Sequence, residues 1–194
     1  MFNSSRRLVV PMSMQPRVIA LTGSPGTGKS TLASRLQKEG LTIITLEEVA
    51  ESVDALSQFE ALREVEISKL AEWKWEGNSQ CVIDGPLSHH CPIDAVIVLR
   101  CNPLELRHRL EPRSSYGSDK IESNVEWELI SGVWADLVAL HPHANVIEID
   151  TTEHDVSMDT VLDFILNDMP SPSVEEFISD SIDWIATRID AESI

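Results

Sequence analysis

One eight-residue stretch constrains the fold of this chain more than any other. Residues 23–30 read Gly-Ser-Pro-Gly-Thr-Gly-Lys-Ser and match G-x-x-x-x-G-K-[S/T] at every fixed position. The apolar run at 18–21 predicts a buried strand before it. Leu32 and Leu36 lie four residues apart and predict a helix after it, which ends at Gly40. Because a strand, a glycine-rich loop and a helix occur in this order, the pattern indicates a P-loop rather than an ordinary glycine-rich turn.

The residue types in this loop are those that phosphate binding requires. Glycines allow the backbone N–H groups to turn inward around an anion, and the helix N-terminus that follows favours negative charge. Lys29 is expected to reach the outer phosphates, and the Ser30 hydroxyl is expected to bind Mg²⁺. We therefore predict that the loop binds a nucleoside triphosphate, through Gly23, Pro25, Gly26, Thr27, Gly28, Lys29 and Ser30.

A second part of the site is expected after the strand at residues 81–85. Asp84 follows the apolar residues of this strand, at its carboxyl end. A carboxylate there can hold the Mg²⁺ bound by Ser30, which we favour over a simple strand-end cap because a P-loop lies upstream.

The strongly acidic composition limits the partners of the protein. The chain has 32 acidic and 15 basic residues, a formal net charge of −17, and only five of the basic residues are lysine. This argues against a broad nucleic-acid surface, which needs a basic face. The composition is typical either of adaptation to high salt or of an acidic cytosolic protein, and it does not separate the two.

Against this acidic background, a cluster of arginines is expected to have a role. Arg107, Arg109 and Arg113 surround a loop at 111–118 that interrupts the helical periodicity. A cationic loop between helices is what a closing lid over a nucleotide requires. We assign Arg113 to this lid, whereas Arg107 is expected to pair with acids on its own helix surface.

The order of the elements predicts the fold class. Apolar strands alternate with amphipathic helices, which indicates an α/β, three-layer P-loop NTPase fold with a five-stranded, mostly parallel sheet. We expect a flexible leader at 1–16, a kinase-like domain at 17–168 and a C-terminal helical tail at 169–194. Within the domain, 47–77 is expected to be a largely helical flap and 112–122 a short lid. Asp119 is expected to cap one long helix that reaches Leu137.

The remaining polar residues carry weaker signals. Cys81, Cys91 and Cys101 lack metal-ligand spacing and are expected to be buried free thiols in a reducing compartment. No stretch approaches a transmembrane helix, so we expect a cytoplasmic protein without membrane contact. His89 and His90 follow Asp84 in a loop, and without further ligands at suitable spacing they are expected only to line the site.

Five blocks of residues together resemble the archaeal-type adenylate kinases. They are the P-loop, Asp84-Gly-Pro-Leu-Ser-His-His90, Val96-Ile-Val-Leu-Arg-Cys-Asn-Pro103, Arg109-Leu-Glu-Pro-Arg113, and Lys120-Ile-Glu-Ser-Asn-Val-Glu126. The blocks occur in the right order over about residues 17–150. The family also includes the eukaryotic nuclear adenylate kinase linked to maturation of the small ribosomal subunit.

The resemblance implies an enzyme that reversibly transfers a phosphoryl group from ATP to a nucleoside monophosphate (NMP), most simply AMP. It also implies some ATPase activity and a role in late maturation of the small ribosomal subunit, through a protein of that subunit. Gly26, Gly28, Lys29, Ser30 and Thr31 match ATP-site residues, and Arg113 matches a catalytic lid arginine that contacts ATP. The segment 47–70 corresponds to the NMP-binding flap. The resemblance assigns no arginine there to grip the NMP, and Arg63 is the one arginine that this segment offers.

Two departures from the family pattern matter. Pro86 stands where members often have a histidine, which puts the ATPase activity in question, and the lid is one residue longer. The alternative function is an ATP-hydrolysing ribosome-assembly factor without significant NMP kinase activity. A P-loop kinase for a non-nucleotide metabolite also stays open, whereas the absence of an N-K-x-D motif argues against a GTPase.

Overall fold

The computed structural model confirms a three-layer α/β fold built around a parallel sheet. It describes residues 17–59, 62–113, 116–153, 155–166 and 171–187; the predicted leader at 1–16 lies outside these ranges. Five strands form the main sheet in the order β2-β5-β1-β6-β7, and every neighbouring pair is parallel. The bounds of its strands are β1 Val18–Thr22, β2 Thr42–Thr45, β5 Cys81–Asp84, β6 Ala95–Arg100 and β7 Asn145–Asp150.

The two faces of the sheet are covered by helices, which explains the continuous apolar character of its central strands. All residues of β1 and β6 are buried. One face packs against α1 (Lys29–Lys38) and α7 (Met158–Leu166), and the other against α6 (Gly132–Leu140) and α8 (Val174–Phe177). Because β1 is the central strand, the loop that follows it lies at the middle of the carboxyl edge of the sheet, where ligands bind in folds of this class.

The predicted flap is less helical than the sequence indicates. It begins with α2 (Leu46–Ser52), continues through a hairpin of β3 (Leu56–Phe59) and β4 (Leu62–Val65), and ends with α3 (Ile67–Leu70). Thr45 caps α2, since its side chain accepts from the Glu48 N–H while the Glu48 carboxylate accepts from the Thr45 N–H. The hairpin corrects the prediction of a mainly helical segment.

The long helix predicted from Asp119 to Leu137 is two helices. The segment after α4 (Pro103–Leu110) forms α5 at Ser118–Leu129, which is followed by α6. Ser131 separates α5 from α6 with a φ of 54°, a left-handed conformation that cannot continue an α-helix. The N-cap of α5 is Gly117 rather than Asp119. Asn102 caps α4, because its side chain accepts from the Leu104 N–H.

The described part of the predicted helical tail, residues 171–187, packs on the core of its own chain and is not one continuous helix. After α8 come a 3-10 turn at Ile178–Asp180, an extended stretch and a helical turn at 184–187. Val174 and Trp184 are buried. The stretch between the two turns is not helical, because side chains bind its backbone. The Ile182 N–H donates to Glu148, and the Ile182 carbonyl accepts from Arg100 and Ser131.

Candidate functional site

The loop between β1 and α1 adopts the backbone that the P-loop pattern predicts. Gly23, Gly26 and Gly28 have φ values of 132°, 98° and 98°, a region that other residues rarely adopt. A Cβ on Gly23 would also overlap the carbonyl oxygen of Leu99 in β6. The glycines therefore permit both the turn and its close approach to the sheet.

Lys29 is buried at the base of this loop. Its Nζ donates to the carbonyl oxygens of Gly23, at 2.8 Å, and Ser24, at 2.9 Å. Burial lowers the pKa of Lys29 from 10.5 to about 8, even though the carboxylates of Asp84 and Glu128 act in the opposite direction. The lysine is thus a desolvated cation, which interacts with an anion more strongly than a solvated one.

Ser30 and Asp84, the two residues predicted to hold magnesium, lie together beside Lys29. The Ser30 hydroxyl lies within hydrogen-bonding reach of the Asp84 carboxyl; this contact and the charge of Lys29 oppose the burial that raises the pKa of Asp84. Asp84 Oδ1 is buried and has no hydrogen-bond partner among the described residues. A buried carboxylate oxygen without a partner, next to a hydroxyl, fits the oxygen ligands that Mg²⁺ prefers.

The three arginines near the predicted lid differ in their partners. Arg113 is exposed, and its positive charge is close enough to Lys29 to lower the pKa of that lysine. Arg107 forms an ion pair of 2.6 Å with Glu122 of α5, so it is paired, but with a different helix from the one predicted. Arg109 pairs with Glu105 at 2.9 Å, and it also donates to the backbone carbonyl of Thr151.

A polar cavity of about 440 Å³ lies directly against the P-loop. It is lined on one side by Thr27, Gly28 and Thr31 and on the other by Arg109 and residues 151–153, 155 and 156, which follow β7. The Thr151 hydroxyl, 3.0 Å from the Thr27 carbonyl, holds the two sides together. The cavity therefore lies beside the N-terminus of α1 and has space for a nucleoside next to phosphates bound by the loop.

A buried ionic network supports the loop from behind. Glu128 in α5 accepts from the Ser24 hydroxyl at 2.6 Å and from the Arg100 Nε at 2.6 Å. Arg100 also pairs with Glu148 at 2.8 Å. The Trp184 indole N–H donates to Glu128 at 3.1 Å, so this network connects the P-loop to the C-terminal segment.

This network was not predicted from the sequence. Arg100 and Glu128 are separated by 28 residues, and no local pattern joins them. One residue does indicate that such a network exists. Arg100 is the charged end of an otherwise apolar buried strand, and a buried charge requires an oppositely charged partner.

The histidine pair lies on the opposite side of β1 from the cavity, against α6. His89 Nδ1 is 2.8 Å from the Thr22 hydroxyl, and Asp136 of α6 lies next to both histidines. Burial, followed by the charge of His90, lowers the pKa of His89 to about 4. Neither histidine lines the cavity beside the P-loop, and their predicted role in lining the rest of the site stays a prediction.

The structure thus brings together most of the residues predicted from the sequence. The predicted ATP-binding loop with Thr31, the predicted metal ligands Ser30 and Asp84, and Arg113 surround one region at the carboxyl edge of the sheet. The side chain of Arg63 and the lid residues 114 and 115 lie outside what the structure describes. The three cysteines are free and buried, as predicted.

The sequence is similar to one described protein family and to several named proteins. A protein family described as an AAA domain matches residues 19–131. A protein of Pyrococcus furiosus named "Putative adenylate kinase" is 42% identical over 141 residues, which cover 70% of this chain and 75% of that protein. One of the same name from Archaeoglobus fulgidus is 38% identical over 151 residues, covering 76% and 79%.

A solved structure supports the fold alone. The crystal structure of TT1252 from Thermus thermophilus covers 81% of this chain and 100% of its own, with a TM-score of 0.50 and 14% sequence identity. None of the described helices combines the length and apolar character that crossing a membrane requires.

Proposed function

From the premise that this chain belongs to the archaeal-type adenylate kinase family, we propose that it is an NMP kinase, most simply an adenylate kinase. In this proposal it transfers the γ-phosphoryl group of ATP reversibly to AMP or another NMP. The main support is the meeting of Lys29, Ser30, Asp84 and Arg113 at one edge of the sheet.

The reaction needs placement and positive charge rather than a general base. A phosphate oxygen of the NMP, already ionised at neutral pH, attacks the γ-phosphorus; a new P–O bond forms while the bond to the bridging oxygen of ADP breaks. The charge that develops on the transferred group and the leaving oxygen must be stabilised. The described residues supply two cations for this, the buried Lys29 and the exposed Arg113.

Lys29 has to exchange partners when ATP binds. Its Nζ contacts two loop carbonyls, and a phosphate oxygen would replace at least one of these neutral acceptors with a charged one. Ser24 stays fixed, because its hydroxyl donates to Glu128 of the buried network. The loop can therefore bind phosphate without losing its support, which keeps the energetic cost of reorganisation low.

Ser30 and Asp84 are the residues that would hold Mg²⁺. When bound, this ion neutralises charge on the phosphates of the nucleotide. Asp84 Oδ1 supports the assignment, because this buried carboxylate oxygen has no hydrogen-bond partner among the described residues and a metal ion would provide one.

We assign NMP binding to the flap, residues 47–77. Residues 112–122 are assigned as the lid that closes over ATP. The hairpin and its two short helices pack beside β5, on the other side of Asp84 from the predicted ATP cavity. Arg63 in β4 is the proposed contact for the NMP phosphate. Closure of flap and lid would exclude water, which suppresses hydrolysis of ATP. We also propose a cytoplasmic location, in line with the three free thiols.

The test measures ADP formed from ATP and Mg²⁺ with AMP, CMP, GMP or UMP, or with no acceptor, in low and in high KCl. Lys29→Ala is the blank, and Lys38→Ala on the exposed end of the same helix is the matched control. AMP-dependent turnover that Lys29→Ala abolishes and Lys38→Ala keeps would support the kinase. Phosphate release that is independent of every NMP would refute it.

That second result would favour the alternative, an ATP-hydrolysing assembly factor of the small ribosomal subunit. The observation in its favour is the net charge of −17, which suits an acidic surface that binds a basic ribosomal protein rather than RNA. The two functions are compatible in one protein, and the assay measures each separately.

A further inference from the structure

Three potential metal ligands from distant parts of the chain converge outside the nucleotide cavity. His89 and His90 lie in the 3-10 turn Ser88–His90, and Asp136 lies in α6, 47 residues after His89. Their ligand atoms are all within 4.8 Å of one another. The Asp136 Oδ2 atom is 3.4 Å from His89 Nε2 and 3.6 Å from His90 Nε2.

The hydrogen bonds of His89 accommodate the tautomer that a metal needs. The Thr22 hydroxyl lies 3.1 Å from the Pro86 carbonyl and 2.8 Å from His89 Nδ1. When this hydroxyl donates to Pro86, Nδ1–H donates to Thr22, and the Nε2 lone pair faces the Asp136 carboxylate. In the other tautomer, Nε2–H donates to Asp136 Oδ2 at 3.4 Å. A cation bound between Nε2 and Asp136 selects the first tautomer.

In the first tautomer, the hydrogen bond from Nδ1–H to Thr22 is of the kind that a metal-binding histidine normally makes. Such a histidine donates its second ring N–H to an outer oxygen, which fixes the orientation of the ring. The Thr22 hydroxyl provides that oxygen here, and the His141 Nε2–H donates to the His89 carbonyl at 2.9 Å, which fixes the turn as well.

Two of the three distances between ligand atoms are close to those of a tetrahedral site, and the third is within 4.8 Å. Bonds of about 2.0–2.1 Å in tetrahedral geometry put two ligand atoms about 3.3–3.4 Å apart. The two distances to Asp136 Oδ2, 3.4 and 3.6 Å, are already close to this. Exposure rises from 2% for the His89 side chain to 13% for His90 and 35% for Asp136, so the cluster opens to solvent on the Asp136 side.

We propose that His89, His90 and Asp136 bind a divalent transition-metal ion of the Zn²⁺ class. Two imidazole nitrogens and one carboxylate select such ions over Mg²⁺ or Ca²⁺, which prefer oxygen ligands throughout. The ion joins the turn after β5 to α6, directly behind Thr22, the residue before the P-loop. Its role is structural, and it does not depend on which phosphoryl acceptor the enzyme uses.

The test is titration of chelator-treated protein with Co²⁺ in excess Mg²⁺, which occupies oxygen-rich sites. Tetrahedral Co²⁺ absorbs visible light far more strongly than octahedral Co²⁺, so the spectrum reports the coordination. We expect one equivalent to bind with a tetrahedral spectrum, and Zn²⁺ to displace it. His90→Gln and Asp136→Asn are expected to weaken binding at least about tenfold.

The matched control is His143→Gln, which removes a histidine paired with a carboxylate, Glu175, but with no third ligand described beside it. This variant is expected to bind Co²⁺ like the unchanged protein. The proposal is overturned if no saturable binding occurs, if the bound Co²⁺ is octahedral, or if the His90 and Asp136 variants bind as tightly as the control. Circular dichroism of each variant shows whether a loss of binding reflects unfolding.

Discussion

The buried charge of Lys29 is predicted to reduce the stability of the ligand-free protein. The pKa of this lysine falls from 10.5 to about 8 on folding, which corresponds to about 3 kcal/mol of destabilisation at neutral pH. Since the folded state binds the proton more weakly, the penalty is complete below about pH 8. It is lost as the pH rises toward about 10.5, where the unfolded lysine also becomes neutral.

The change to make is Lys29→Met, which keeps the length of the side chain and removes the titrating group. Between about pH 7 and pH 9.5, these two pKa values predict that the unchanged protein gains about 2 kcal/mol of unfolding free energy relative to the variant. The loss of two hydrogen bonds to the carbonyls of Gly23 and Ser24 adds an offset that is the same at both pH values, so it does not affect the comparison.

Urea unfolding followed by tryptophan fluorescence measures this difference at both pH values. Lys38→Met, which removes an exposed lysine at the end of the same helix, is the control and is expected to show no such pH dependence. The reasoning is refuted if the difference in unfolding free energy between Lys29→Met and the unchanged protein is constant from about pH 7 to pH 9.5. In that case folding does not lower the pKa of Lys29.

Three further predictions concern charge at and behind the site. ATP binding is expected to require protonated Lys29, whose pKa is about 8. The ATP dissociation constant measured by calorimetry should therefore rise up to about tenfold per pH unit above pH 8. A constant affinity up to about pH 10 would contradict this. Arg100→Met leaves Glu128 and Glu148 buried without their cation. The free energy of unfolding measured in urea should therefore fall by about 3–5 kcal/mol and be largely recovered when both glutamates are also changed to glutamine. A fall below about 1 kcal/mol would exclude this role of Arg100. Asp84→Asn should raise the Mg²⁺ concentration needed for ADP formation at least about tenfold, since it removes the negative charge of a buried oxygen that has no other described partner. An unchanged Mg²⁺ requirement would argue against the metal assignment.

The parts of the structure that could be predicted are those with a local signature. The P-loop has a fixed spacing and a strand and helix on either side, and the buried strands β1 and β6 are continuous apolar runs. Asp84 was identified because it follows such a strand, and parallel strands end at one edge of the sheet. These features depend on residues that are close in the sequence, which is why the pattern was sufficient.

The parts that could not be predicted depend on contacts between distant residues or on one backbone conformation. Apolar residues recur every four positions from Ile121 to Leu137, so the periodicity continues through the break that the positive φ of Ser131 makes. His89 and Asp136 are 47 residues apart, and only the packing of α6 on β1 brings them together. The hairpin in the flap was missed because acidic, helix-favouring residues surround its two short strands.

The central claim is that this protein transfers a phosphoryl group between two nucleotides, and the reverse reaction tests it most directly. Purified protein is incubated with ADP and Mg²⁺ alone, and the products are followed by phosphorus NMR, with Lys29→Ala as the blank. The account predicts that ATP and AMP form together in equal amounts and that the variant forms neither. ADP that stays unchanged, or that releases only inorganic phosphate, would contradict it.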